Sequence, residues 1–160
     1  MSEQIGEVDY ALAAFLEHGL WQVQQIASPA FESVESLSHA LRQVSGESGA
    51  VGMVSVDEDF FVIVRVAGST TRVLLSDVTA AEQWELAQSV IDFLGLPPED
   101  DDVEVPAGDL GLLADLGMHA MDMGALLDEV DLYPDDMLSD IARQLGFGEL
   151  FDDAVGLTSA

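Results

Sequence analysis

Phe60-Phe61-Val62-Ile63-Val64-Arg65-Val66 decides how this chain is read. The stretch is dense in aromatic and β-branched residues, which fit a pleated strand. It is apolar at odd and even positions alike, so both faces of the strand are expected to be covered. That marks a central strand rather than one with a wet side. Working outward, Ala50–Val56 precedes it across the acidic turn Asp57-Glu58-Asp59, and Thr71-Arg72-Val73-Leu74-Leu75 follows it across Gly68-Ser69. Strands joined by such short turns pair antiparallel.

Further upstream, residues 9–16 and 20–26 read as two strands of a hairpin turning at His18-Gly19, where a glycine supplies the positive φ of a tight turn. Between this hairpin and Ala50, apolar Val34, Leu37, Leu41 and Val44 recur at helical spacing. Downstream of the strands, Thr79-Ala80-Ala81-Glu82 has the form of a capping box. It opens a helix with Trp84, Ala87, Ile91 and Leu94 on its buried stripe and Glu82, Glu85, Ser89 and Asp92 on its wet one.

Residues 96–108, with Pro97-Pro98 and the run Glu99-Asp100-Asp101-Asp102, are predicted to form an acidic loop. Beyond it the strand signal disappears. Asp109–Leu116 is expected as a short helix, Met123, Leu126, Leu127 and Val130 stripe a second, and Met137, Leu138, Ile141 and Leu145 a third with Pro134 in its first turn. Glu149–Val155 adds one more turn. The fold class expected is therefore α+β: an antiparallel sheet of about five strands with helices packed on it, followed by an acidic helical C-terminal part. Residues 1–95 form the sheet and its helices, 96–108 the loop and 109–160 the helical part, all within one domain.

Charge is the outlier in the composition. The 160 residues hold 31 acids against four bases, giving a net charge of −27. The bases are Arg42, Arg65, Arg72 and Arg143, and there is no lysine. Residues 1–80 carry 11 acids and three arginines, net −8, whereas residues 81–160 carry 20 acids and one arginine, net −19. A surface of that sign repels phosphates and anionic lipid, so direct nucleic-acid and membrane binding are disfavoured and a basic protein partner is favoured. The acids singled out for such a surface are Glu99, Asp100, Asp101, Asp102, Asp128, Glu129, Asp131, Asp135 and Asp136. The plainer reading of the same acids is solvation of helix faces and favourable placement at helix N-termini. The absence of cysteine removes disulfides and thiol chemistry, no apolar run reaches membrane length, and Met1-Ser2-Glu3-Gln4 has no signal-peptide character. A cytoplasmic location is expected.

No catalytic residue, cofactor or metal site is assigned. An EF-hand register begun at Asp100 places Val105 where its glycine belongs and Gly111 where its glutamate belongs. His18, His39 and His119 have no partner at ligand spacing, and Met118-His119-Ala120-Met121-Asp122-Met123 reads as core filler. Gly46-Glu47-Ser48-Gly49-Ala50 lacks the closing glycine of a nucleophile elbow. One arrangement stands apart. If Gly68-Ser69 is a two-residue turn, Arg65 faces Arg72 across the pair of strands. Like charges directly opposite call for an anion between them. Acids of the C-terminal half would supply it and dock that half onto the sheet; the other reading is a partner carboxylate or a phosphate ligand.

Four segments carry a family resemblance. They are the strand 60–66, Leu74-Leu75-Ser76-Asp77-Val78-Thr79-Ala80-Ala81, Gly108-Asp109-Leu110-Gly111-Leu112-Leu113-Ala114-Asp115-Leu116-Gly117, and Leu132-Tyr133-Pro134-Asp135-Asp136-Met137-Leu138. In this order they resemble the actinobacterial tRNA adenosine deaminase-associated proteins over roughly residues 50–150 and, more loosely, the N-terminal hairpin. The resemblance implies a tRNA adenosine deaminase as partner and brings no catalytic residues with it. The chain is not itself such a deaminase. That chemistry needs a zinc site with cysteine ligands and an H-x-E motif, and here His119 is followed by Ala120-Met121. The function expected is that of a non-catalytic accessory or regulatory protein in tRNA modification. The alternatives are an acidic polyanion mimic binding other basic proteins, and a carboxylate-metal enzyme.

Overall fold

The structure is a computed structural model. It describes residues 8–17, 19–25, 34–44, 49–56, 60–67, 70–76, 85–94, 107–108, 111–114, 117–127 and 134–155. The elements in chain order are β1 (Val8–Glu17), β2 (Leu20–Gln25), α1 (Val34–Val44), β3 (Ala50–Val56), β4 (Phe60–Ala67), β5 (Thr70–Leu75), α2 (Glu85–Leu94), β6 (Ala107–Gly108), α3 (Ala120–Leu127), α4 (Pro134–Leu145) and α5 (Gly148–Val155).

The strands form one antiparallel sheet in the order β2-β1-β3-β4-β5-β6. The two central strands are β3 and β4, and every residue of β4 from Phe60 to Val66 is buried. Tight turns set most neighbours; at the β1–β2 turn Gly19 has φ 79°. The connection through α1 is longer because β3 must reach the far side of β1 from β2.

The alternation of side chains splits the core in two. Phe60, Val62, Val64 and Val66 of β4 join Val73 and Leu75 of β5 under Val34, Leu37 and Leu41 of α1 and Ala87 and Val90 of α2. Phe61 and Ile63 project the opposite way. There, with Met53 of β3 and Leu74 of β5, they meet Met123 and Leu126 of α3, Leu138 and Ile141 of α4, and Phe151 of α5. Helices therefore cover both faces, which is why β4 carries no polar alternation.

β2 is fastened to the helices of the second face through Trp21. The indole N–H of Trp21 donates to the carbonyl of Leu145 at 3.0 Å, and its ring lies 4.7 Å from that of Phe147. Both Gly146 and Phe147 donate their N–H groups to Ala142 O at 2.9 Å, ending α4 with a shared acceptor. The chain thus turns directly from α4 into α5 beneath Trp21.

Four expectations need correction. The segment 96–108 is not loop throughout, because Ala107 and Gly108 pair with Leu75 and Leu74 as a sixth strand. Two residues give too short a signal to read as a strand, and the pairing requires Gly108, whose φ is +119° and whose missing Cβ would lie 2.2 Å from Val73 O. Of the helix expected over 109–116, residues 111–113 form a turn and Ala114 is in 3₁₀ conformation, with Ala114 N–H donating to Gly111 O at 3.0 Å; residues 109, 110, 115 and 116 lie outside the described residues. Ser89 does not serve a wet face; its hydroxyl accepts the N–H of Val34 at 3.0 Å, capping α1 from α2. Of the Met/His cluster, Met118 and Met123 are core while His119 is exposed and Met121 is 86% exposed. The capping box at Thr79 and the Gly46–Ser48 segment lie outside the described residues.

Candidate functional site

Arg65 and Arg72 are directly opposite one another in the β4–β5 ladder. Alternation puts both on the sheet face that bears α3 to α5. Their settings differ sharply. Arg65 is only 4% exposed, whereas Arg72 is open to solvent. Burying an arginine requires hydrogen-bond partners for its fork of N–H groups. One is the carbonyl oxygen of Leu112, which accepts from Nη1 at 3.1 Å. Both arginines make further polar interactions.

The turn that offers this carbonyl is fixed from below. Leu112 and Leu113 are fully buried in the second core, and Met118 N–H donates to Leu113 O at 3.2 Å. β6 delivers the chain to this place, because its pairing with β5 ends at Gly108, three residues before Gly111. Between the end of the β4–β5 ladder and the turn lies a cleft of about 290 Å³, lined by Arg65, Ala67, Thr70, Arg72, Gly111, Leu112 and Ala114. Of its two arginines, Arg65 is buried and Arg72 exposed.

A third cation reaches the same end of the sheet from the other face. Arg42 on α1 donates through Nη2 to the hydroxyl of Thr71 at 2.7 Å. The fourth, Arg143, is paired within α4 to Asp140 at 2.7 Å and donates to Ser139 at 3.2 Å. Three of the four positive charges in a chain of net charge −27 thus meet at or beside the β4–β5 turn.

The acidic candidates distribute differently. Asp136 is exposed in the first turn of α4, and Asp135 occupies the preceding position of the same turn. Glu99, Asp100, Asp101, Asp102, Asp128, Glu129 and Asp131 lie outside the described residues. Other exposed acids repeat the position of Asp136: Glu35 opens α1, Asp122 α3 and Glu149 α5. A carboxylate in a first helical turn is stabilised by the unpaired N–H groups there, by about 0.3–1 kcal/mol. Local electrostatics therefore accounts for these positions. Among the described residues, no three His, Asp or Glu side chains converge as a metal-ligand set, and no helix is long and apolar enough to cross a membrane.

The sequence alone located the arginine pair but missed what surrounds it. Ala67, Thr70, Gly111, Leu112 and Ala114 belong to no motif that marks a site. The available signal was Gly111-Leu112-Leu113, a small residue followed by two large apolar ones within an acidic stretch.

A six-stranded antiparallel sheet covered on both faces, with an arginine-lined cleft at one end and acids at its helix starts, defines an α+β protein. The chain belongs to the Rv3753c-like tRNA adenosine deaminase-associated protein family, whose model matches residues 9–148. It is 39% identical to Protein Rv3753c of Mycobacterium tuberculosis (strain ATCC 25618 / H37Rv) over 144 residues, covering 88% of this chain and 83% of that protein. No solved structure matches it.

Proposed function

We propose that this protein is a non-catalytic accessory or regulatory protein that binds a tRNA adenosine deaminase. The observation that carries the reading is the family match over residues 9–148, in a chain with no cysteine for a deaminase zinc site. The charge supplies a physical means. A tRNA-modifying enzyme presents a basic surface to its substrate, and a partner of net charge −27 is attracted to such a surface from a distance. Glu99–Asp102, the acids Asp128, Glu129 and Asp131, and the α4 start at Asp135 and Asp136 are the proposed contact residues. Docking over the tRNA-facing side would compete with tRNA, whereas docking elsewhere would leave the reaction open.

The experiment is sedimentation velocity of the two purified proteins from one host, at low and at physiological salt. A complex is expected at both, weaker at the higher salt because the Debye length shortens to about 8 Å there. Two independently sedimenting species at tens of micromolar would sink the proposal. A complex whose strength ignores salt would keep the partner and remove the acidic surface as its means.

A further inference from the structure

We propose that the outer edge of β2 docks an extended segment of a protein partner, alternating apolar and basic residues, which adds to the sheet as a further strand. The inference deepens the reading above and rests on it for the sign of the partner's charge, but not on the deaminase as the source of the segment.

The two edges of the sheet differ. β6 ends one side with two residues and offers little to pair with. β2 ends the other with six, and among the described residues it pairs only with β1. Edge strands are ordinarily blunted by charge, proline, a bulge or shortness, because their unpaired N–H and C=O groups template another strand. β2 has none of these devices. Leu20-Trp21-Gln22-Val23-Gln24-Gln25 holds no charge and no proline. Its register against β1 runs without a shift from Leu12↔Gln25 to Glu17↔Leu20. The bond from Trp21 to Leu145 O ties the strand to the helices, so its edge is preorganised for a ligand.

Alternation sets what the added segment carries. Trp21 and Val23 pack against the second core, so apolar side chains beside them extend an apolar surface. Leu20, Gln22 and Gln24 are exposed on the other face, and exposed Glu17 stands directly opposite Leu20. Basic side chains belong on that face. Exposed Glu149 adds negative charge in the first turn of α5, the helix that packs on β2. In strand addition the main chain supplies affinity and the alternate side chains supply selectivity. Charge then chooses the occupant. A chain of net charge −27 repels a second copy of itself and attracts a basic segment.

Amide exchange of the full chain, with synthetic peptides added, tests the proposal. The probe is an octapeptide of alternating valine and lysine. The control peptide has proline for every valine, which keeps the charge and removes the strand. In the free chain, alternate amides of β2 face outward and exchange fast. At about ten times its Kd the valine peptide is expected to slow those amides about tenfold, and the proline peptide to leave them unchanged. Gln24→Lys sets a like charge beside the docked segment and is expected to weaken binding about two- to fivefold. Gln88→Lys on α2, the same change of charge on a helix that packs against β5, is expected to bind like the parent. Both glutamines are exposed, so both variants fold. Equal effects of the two peptides, or equal binding by the two variants, reduce the interaction to net charge and overturn the site. Outward amides already slow in the free chain also overturn it: with a dimer in sedimentation the occupant is a second copy, and with a monomer the edge is covered from within. None of these failures touches deaminase binding, which is read from the two proteins together.

Discussion

The two faces of the sheet are built to different rules. On the face under α1 and α2, β4 presents Phe60, Val62, Val64 and Val66 without a break, and the helices above it answer with Leu37, Leu41, Ala87 and Val90. On the opposite face β4 begins the same way with Phe61 and Ile63, then places a buried arginine at position 65. On the first face the row from β4 is wholly apolar, and polar contact begins only at Thr71 of β5, which Arg42 meets. The second is apolar toward α3, α4 and α5 and turns polar at one end, where the cleft opens. One strand alternating between these faces carries core and cleft at once. The departure from the hydrophobic pattern marks the cleft.

The largest test of this contrast asks whether the two layers stand or fall together. Leu41 on the first face and Ile141 on the second are both fully buried. Truncation of either to alanine is expected to cost about 2–5 kcal/mol, the usual range for a buried Leu or Ile. If residues 1–160 form one domain, each variant unfolds in a single transition, seen alike by circular dichroism and tryptophan fluorescence. An Ile141→Ala protein that melts in two steps would instead divide the helical part from the sheet.

Next in size is Gly108→Ala. A side chain at this positive φ is strained, and its Cβ would lie within 2.2 Å of Val73 O. A loss of about 1–3 kcal/mol is expected from the backbone conformation alone. The second face should feel it more than the first, because β6 leads into the turn that meets Arg65. Amide exchange should quicken at Leu113 and Met118 while α1 stays protected. Uniform quickening would remove β6 as a support of the cleft.

The same contrast explains what could be read from the residues alone. The first face and the strand order around β4 follow local rules: β-branched runs, short turns and helical periodicity in sequence. The second face depends on pairings over long separations. Trp21 meets Leu145 across 124 positions and Arg65 meets Leu112 across 47, and no local pattern announces either. Arg65 and Arg72 could be placed opposite each other because the turn at 68–69 fixes their register. The cleft between them and residues 111–114 could not, because it depends on the two-residue strand β6 and on a turn where helix was expected. Ser89 illustrates the same point on the first face: it reads as solvated by periodicity and serves as the cap of a different helix.

Trp21→Phe is expected to cost about 1 kcal/mol. The substitution keeps a ring near Phe147 but deprives Leu145 O of its donor at the start of the α4–α5 joint. A partly buried hydrogen bond is worth about 0.5–1.5 kcal/mol. Denaturant unfolding monitored by circular dichroism measures the change. A neutral result would show that the ring contact alone fastens the hairpin to the second face.

The smallest expected effect is the most informative about the arginine pair. Two forces act at position 72 in opposite senses. Docking of the C-terminal half onto the sheet through Arg72 would make Arg72→Gln destabilising. Repulsion between Arg65 and Arg72, about 0.2–1 kcal/mol for a pair directly opposed, would make it stabilising. Arg72 is exposed, so each is weakened by solvent. The net change in stability is therefore expected to stay within about 0.5 kcal/mol, a Tm shift of roughly 1–2 °C. The salt dependence decides between the forces. Relief of repulsion gives a gain that is largest at low salt and fades as salt rises. A loss above about 1 kcal/mol would assign Arg72 to fastening the two halves together, with Arg65 and Leu112 as the inner part of the same clasp.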